Sequence, residues 1–351
     1  MLRLASLLSV LAIGAAGCVE LPDESLGATE QAVIDCDTWV CGSNSPVIAT
    51  YRFHELNING LANDKGFQVI SLDQGGIHYH LSVEQGRIVG RYGSLEIRDG
   101  ALQDAQIRLR RGAQLFAIKI AGIGSVWTFA RLGGSPRQLQ TYELDVGEII
   151  GGAQPTRWVN MCSNPPSRDN PDVLGMNTFH SLVFEGERID RDNKTISTAL
   201  DASWFNIGCT GHALAKLAIN GQTEAAHQAF GFNTTILERQ AFLKMLVADY
   251  CGMGHAWTVS GQPLQWTDWR GYTQYVASPA NLELEARWNA NGATCVNTPR
   301  VAANPTALGT AYFGNNIALQ ILLACGPKTP PACPGGVTFF DSEPLLSANP
   351  L

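Results

Sequence analysis

The 351-residue chain is long enough for one large domain or two smaller ones, and its hydrophobic fraction of 45% is that of a globular protein. A net charge of −7 with no basic stripe argues against a nucleic-acid partner. No repeat of solenoid period occurs, and the dispersed glycines point to many turns.

The first eighteen residues read as an address. Met1-Leu2-Arg3-Leu4 leads an apolar run to Ala16, then Gly17-Cys18, which is the layout of a signal peptide and too short for a comfortable span. Ala15-Ala16-Gly17-Cys18 resembles a bacterial lipobox, although Ala15 stands where leucine is commoner. The expectation is acylation at Cys18, an anchor in the bacterial cell envelope, and an outer-membrane or surface location rather than free secretion. Two or more acyl chains hold such an anchor stably. Residues 19–46 form an acidic, weakly periodic tether that includes a short Cys36–Cys41 loop.

From 47 to 150 the pattern is strand-like. Phe67 to Leu72 alternates, as does Ile77 to Leu81, and short segments continue through Val126-Trp127-Thr128-Phe129 with glycine or Asp-Gly between several of them. This predicts an antiparallel β-rich domain, rolled into a sandwich or small barrel. His78 and His80 share a strand face without an identifiable third ligand, so they are read as solvent-facing. Residues 151–177, rich in Pro, Asn and Ser and carrying Trp158 and Cys162, are read as an ordered, stapled loop.

Residues 151–300 form a second, mixed α/β domain, followed by an extension over 301–351. Strands are predicted at Phe179–Phe184, Ile196–Leu200, Trp257–Val259 and Leu282–Trp288. Helices are predicted at Gly208–Ala218, at Thr235–Cys251 with Leu237, Ala241, Met245 and Leu246 inward, and at Ile317–Ala324. Thr235 and Glu238 fit a capping box. The fold class is therefore α+β: an N-terminal antiparallel β-rich domain packed on a disulfide-stapled mixed domain.

Besides Cys18, eight cysteines occur: Cys36, Cys41, Cys162, Cys209, Cys251, Cys295, Cys325 and Cys333. An even number in an exported chain is the pattern of disulfides. Locality favours Cys36 with Cys41 and Cys325 with Cys333. The absence of a C-x-x-C pair and of zinc-type spacing argues against a metal, and no cofactor is expected.

Several segments in a fixed order carry a family resemblance. They are Trp158…Cys162, Phe205…Cys209 with Ala213-Leu214-Ala215-Lys216, Val247-Ala248-Asp249-Tyr250-Cys251-Gly252-Met253-Gly254, and Leu284-Glu285-Ala286-Arg287-Trp288…Gly292-Ala293-Thr294-Cys295-Val296. The set resembles the ADYC domain family, exported bacterial proteins, mostly myxobacterial, with no established function. The resemblance implies that Leu217 and Phe242 stand where relatives carry a cysteine pair, so that an aliphatic–aromatic contact replaces a bridge between two helices. It also implies Cys209 paired with Cys251 and Cys162 with Cys295.

Two functional classes compete. Cys209 at a helix start, His255 and Asp268 have the order of a transglutaminase-like cysteine hydrolase or acyltransferase, with His212 as a second possible base. Against this, an exported thiol with seven companions is expected to be oxidised. A non-enzymatic binding or scaffold protein with a protein or glycan ligand is the favoured reading. Asp249 near a helix C-terminus opposes the helix dipole. It is expected to bond to the N–H groups of the Gly252–Gly254 turn or to pair with Arg239 or Lys244, with Tyr250 packed inward and its hydroxyl bonded.

Overall fold

The computed structural model describes residues 46–128, 137–152, 154–162, 179–231, 234–258, 262, 264–268, 273–274, 282–303, 316–335 and 345–350. The Cys18 lipid site, the tether and the Cys36–Cys41 loop lie outside them.

The strands in chain order are β1 (Val47–Ile48), β2 (Tyr51–Arg52), β3 (Glu55–Asn57), β4 (Phe67–Gln74), β5 (Ile77–Glu84), β6 (Arg87–Tyr92), β7 (Leu95–Arg98), β8 (Gln106–Arg111), β9 (Gln114–Trp127), β10 (Gln138–Ile149), β11 (Val159–Asn160), β12 (His180–Gly186), β13 (Ile189–Asp190), β14 (Thr195–Ile196), β15 (Asp201–Cys209), β16 (Gln265–Asp268), β17 (Thr273–Gln274), β18 (Leu282–Asn289), β19 (Gly292–Val296) and β20 (Leu345–Pro350). The helices are α1 (Ala213–Ile219), α2 (Glu224–Phe230), α3 (Ile236–Val247), α4 (Arg300–Ala303) and α5 (Ile317–Cys325). The α+β class holds.

Apolar–polar alternation with tight turns makes the N-terminal strands antiparallel, and one sheet runs β3-β15-β12-β10-β9-β8-β4-β5-β6-β7, with β11 beside β10. The expected division at residue 150 falls inside this sheet, because β12 and β15 complete it next to β10. The sheet curls on itself. The Ile88 N–H donates to the Tyr142 hydroxyl at 2.8 Å, and the β5–β6 turn donates from Gln85 and Gly86 to the Glu185 carboxylate at 2.6 and 3.1 Å. Phe67, Leu72, Leu81, Ile107, Ile118, Tyr142 and Phe205 fill the inside of the roll.

On the opposite face of β12 lie α1 and α2, with α3 packed on α1, and beyond α3 a second antiparallel sheet, β17-β16-β20-β18-β19. One core joins Leu182 and Phe184 of the roll to these three helices and to Trp266, Ala286 and Trp288 of the second sheet. Leu217 and Phe242 are both buried there, and Phe242 meets Trp266 edge-on at 4.7 Å.

Helix α3 begins at a complete capping box: Thr235 Oγ1 accepts the Glu238 N–H, and the Glu238 carboxylate accepts the Thr235 N–H. Its Gln240 splints β14, accepting the Ile196 N–H at 2.5 Å and donating to the Lys194 carbonyl at 2.8 Å. Leu237 is 65% exposed, because it lies on the side of the first turn away from both sheets.

Three other expectations change. Cys209 ends β15 rather than starting a helix: Phe205 to Cys209 pairs in register with β12, and the helix begins only at Ala213, after the left-handed Gly211. The strand expected at Ile196–Leu200 shortens to Thr195–Ile196. Trp257 is buried in irregular backbone, held by its N–H to the Val247 carbonyl, and the expected strand's last residue, Val259, lies outside the described residues.

Candidate functional site

Among the described residues the disulfides follow the layers and not sequence proximity: Cys162–Cys209, Cys251–Cys325 and Cys295–Cys333, with Cα separations of 5.6, 5.5 and 4.8 Å. None of the expected pairings Cys325–Cys333, Cys209–Cys251 and Cys162–Cys295 forms. Cys162 follows β11 to the point where β15 ends. Helix α5 delivers Cys325 to the turn after α3. The segment beyond α5 then runs along β19, where the Val296 N–H donates to the Pro331 carbonyl and the Cys333 N–H to Asn297 Oδ1, so that Cys333 meets Cys295.

This arrangement takes apart the alternative Cys–His–Asp site. The Cys209 sulfur is buried and bonded to Cys162, so it offers neither thiolate nor helix-dipole activation. His212 is buried at the N-cap of α1. His255 is half-buried beside Trp257, and Asp268 ends β16 in the other sheet. His78 is exposed, with Nδ1 2.7 Å from Asp73 Oδ1, and His80 is exposed two residues on. Among the described residues no cluster of three or more His, Cys, Asp or Glu could hold a metal ion.

The segment Ala248 to Gly254 is a joint between layers. Ala248, fully buried with φ of 55°, ends α3 in the left-handed conformation. Asp249 is fully buried and fully used: it accepts from Lys244 Nζ at 2.6 Å, the Met253 N–H at 3.0 Å and the Gly254 N–H at 2.8 Å. Both forms of compensation expected for an acid at a helix C-terminus are therefore present. Tyr250 stacks on Trp288 at 5.3 Å, and its hydroxyl donates to Glu285 Oε1 at 2.5 Å. Burial first, and the Glu285 carboxylate second, push this phenol well above its ordinary range, so it remains a donor. Arg300 closes the cluster, donating from Nε to Glu285 Oε1 at 2.8 Å and from its other arm to the Met245 carbonyl at 3.0 Å. Gly252 and Gly254 have φ of 68° and 84°, and a Cβ at either would overlap backbone, at Asn291 and at Asp192.

A second buried cluster anchors α2. Arg239 bridges Glu187 Oε1 and Glu224 Oε2, each at 2.8 Å, and Glu187 also accepts the Glu224 N–H at 2.5 Å. Burial pushes the Glu187 carboxyl up to about 7, against the pull of Arg239. A carboxyl raised above its unfolded value of about 4.5 binds its proton more tightly in the native state. Its contribution to stability is thus complete below about pH 4.5 and is lost as pH rises through about 7. Glu187→Gln should remove that loss: across pH 5 to 8 the variant gains up to about 3 kcal/mol relative to wild type. Urea midpoints measured at both pH values check this, and parallel pH profiles would refute it.

The open concavity lies where the β5–β6 turn meets the bulge in β12 and β15. The pairing jumps there from Glu185–Phe205 to Gly186–Asp201. A groove of about 670 Å³, within the range of ligand sites, is lined by Glu84, Gln85, Arg87, Val89, Arg98, Glu185, Ala202, Gln228 and Ala229. A narrow extension runs past Gln85 and Arg87 to Gln138 and Gln140 of β10. The charges around it neutralise one another: Glu84 with Arg91, Arg98 with Glu96, and Arg87 with Asp99. Burial raises Glu185, opposed by the Gly86 and Gln85 N–H groups that close its carboxylate. No motif in the sequence marked this groove, because five strands and α2 each contribute only one to a few residues to it.

Comparison with known proteins places this architecture. The family model for the ADYC domain matches residues 99–302, from the end of β7 to α4. No curated protein and no solved structure matches the chain.

Proposed function

The chain belongs to the ADYC domain family, and from that membership and the groove geometry we propose a non-enzymatic binding or scaffold protein of the bacterial cell envelope. In this reading Cys18 carries the lipid, residues 19–46 are the tether, and the groove at the open end of the roll takes a protein or glycan ligand. One observation carries it: the nucleophile that the enzymatic alternative needs is a buried disulfide sulfur, while the groove at the other end of β15 is open. Three disulfides also suit an oxidising, exported location.

Peptide mapping of the non-reduced full chain tests the central point. Cys209 is expected only in linkage to Cys162, and a Cys209 alkylated without reduction would overturn the reading. Palmitate labelling tests the anchor, with loss of label in Cys18→Ala as the expected result and equal labelling as the contrary one.

A further inference from the structure

Strand register sets an exposed aromatic ring beside Gln138, which lines the narrow extension of the groove. Trp127 of β9 pairs with Gln138 of β10, and Ser125 pairs with Gln140. Cross-strand partners project from the same face of a sheet, so these four share the face of Tyr142, the inner face of the roll. Trp127 is 58% exposed. Gln138 donates to Ser125 Oγ at 2.6 Å, and the Gln140 Nε2, buried beside the groove extension, has no hydrogen-bond partner. An unsatisfied buried amide donor is costly, and here it lies where a ligand would satisfy it.

Resting on the reading of this groove as a ligand site, we propose that it binds a neutral saccharide chain, with the Trp127 indole as stacking platform and the amides of Gln138, Gln140 and Gln85 bonding its hydroxyls. An amide presents a donor and an acceptor side by side, which matches neighbouring sugar hydroxyls. The indole face suits the C–H face of a pyranose. Glu84 and the arginines at the groove are ion-paired and the Glu185 carboxylate is closed by backbone N–H groups, so none of these charges is left to select an ion. Among the described residues, the neighbours of Trp127 in register on this face are the polar Ser125 and Gln138, a setting that favours a stacking platform over a protein hot spot.

The test is calorimetric titration of the full chain with three neutral hexasaccharides: β-1,4-linked glucose, α-1,4-linked glucose and β-1,4-linked N-acetylglucosamine. At least one should bind, with affinity falling about tenfold in Trp127→Ala and retained in Trp127→Tyr. Gln140→Leu should weaken the same sugar several-fold. Trp127 is a surface residue, so an unchanged unfolding midpoint confirms that the alanine variant is folded. Silence from all three sugars, or equal binding by Trp127→Ala, overturns the proposal. A parallel screen with uncharged decapeptides separates the two levels. A peptide that binds wild type and is lost in Gln85→Ala overturns the saccharide while keeping the groove. If neither ligand class depends on these residues, both readings fall.

Discussion

Arg300→Met is expected to cost about 3–5 kcal/mol, the usual result of leaving one partner of a buried ion pair uncompensated. Glu285 is fully buried between α3 and β18, and Arg300 supplies its cation from α4. Without the Arg300 guanidinium the carboxylate keeps only uncharged donors, the Tyr250 hydroxyl and the backbone N–H of residue 300, and the Met245 carbonyl at the end of α3 loses a donor. Equilibrium denaturation measures the effect. The triple replacement Tyr250→Phe, Glu285→Leu, Arg300→Met should recover much of the loss, because apolar side chains of similar volume can replace a buried ionic cluster. A cost below about 1 kcal/mol for Arg300→Met alone would mean that the cluster does not bind the two layers.

The second large effect is expected at Cys251–Cys325. This bond closes a sequence separation of 74 residues. Chain entropy predicts a loss of about 4 kcal/mol in Cys251→Ser/Cys325→Ser, within the usual range of about 2–5. The bond ties the end of α5 to the joint after α3, so the near-ultraviolet signal of Trp288, stacked on Tyr250, should weaken along with stability. Denaturant midpoints and near-ultraviolet spectra of the double variant check both. An unchanged midpoint would show that packing of Tyr250 and Trp288 holds the joint without the bond.

The same joint divides what was legible in the sequence from what was not. Local chemistry was readable. Thr235 and Glu238 formed the expected box, and Asp249 found both kinds of partner, because each involves residues within five positions. Alternation placed β4 and β5 where expected, and the short segments expected through Phe129 became β6 to β9, whereas β10 and β15 were not picked out. Cysteine partners were not readable, because pairing depends on how α5 and its following segment cross the second sheet. The strand at Cys209 was misread because the alanine- and leucine-rich run after Gly211 extended the apparent helix backward. The groove was invisible for another reason: glutamines at 85 and 228 come to line it, and those at 138 and 140 its extension, only when the sheet curls and β12 and β15 bulge. Trp127 looked like one more strand residue until its register with Gln138 was known.

The place of β20 bears on the order of assembly. Residues 345–350 fill the middle of the second sheet, between β16 and β18, so the facing edges of these strands, which pair outward with β17 and β19, stay unpaired until this late segment arrives. Until then both present bare strand edges, the surfaces most prone to pair with another chain. Contacts of such long range also close slowly. The protein's time of greatest exposure to aggregation therefore falls after the roll can already form, while the second layer waits for its central strand, and any factor that shields nascent chains would matter most in that interval.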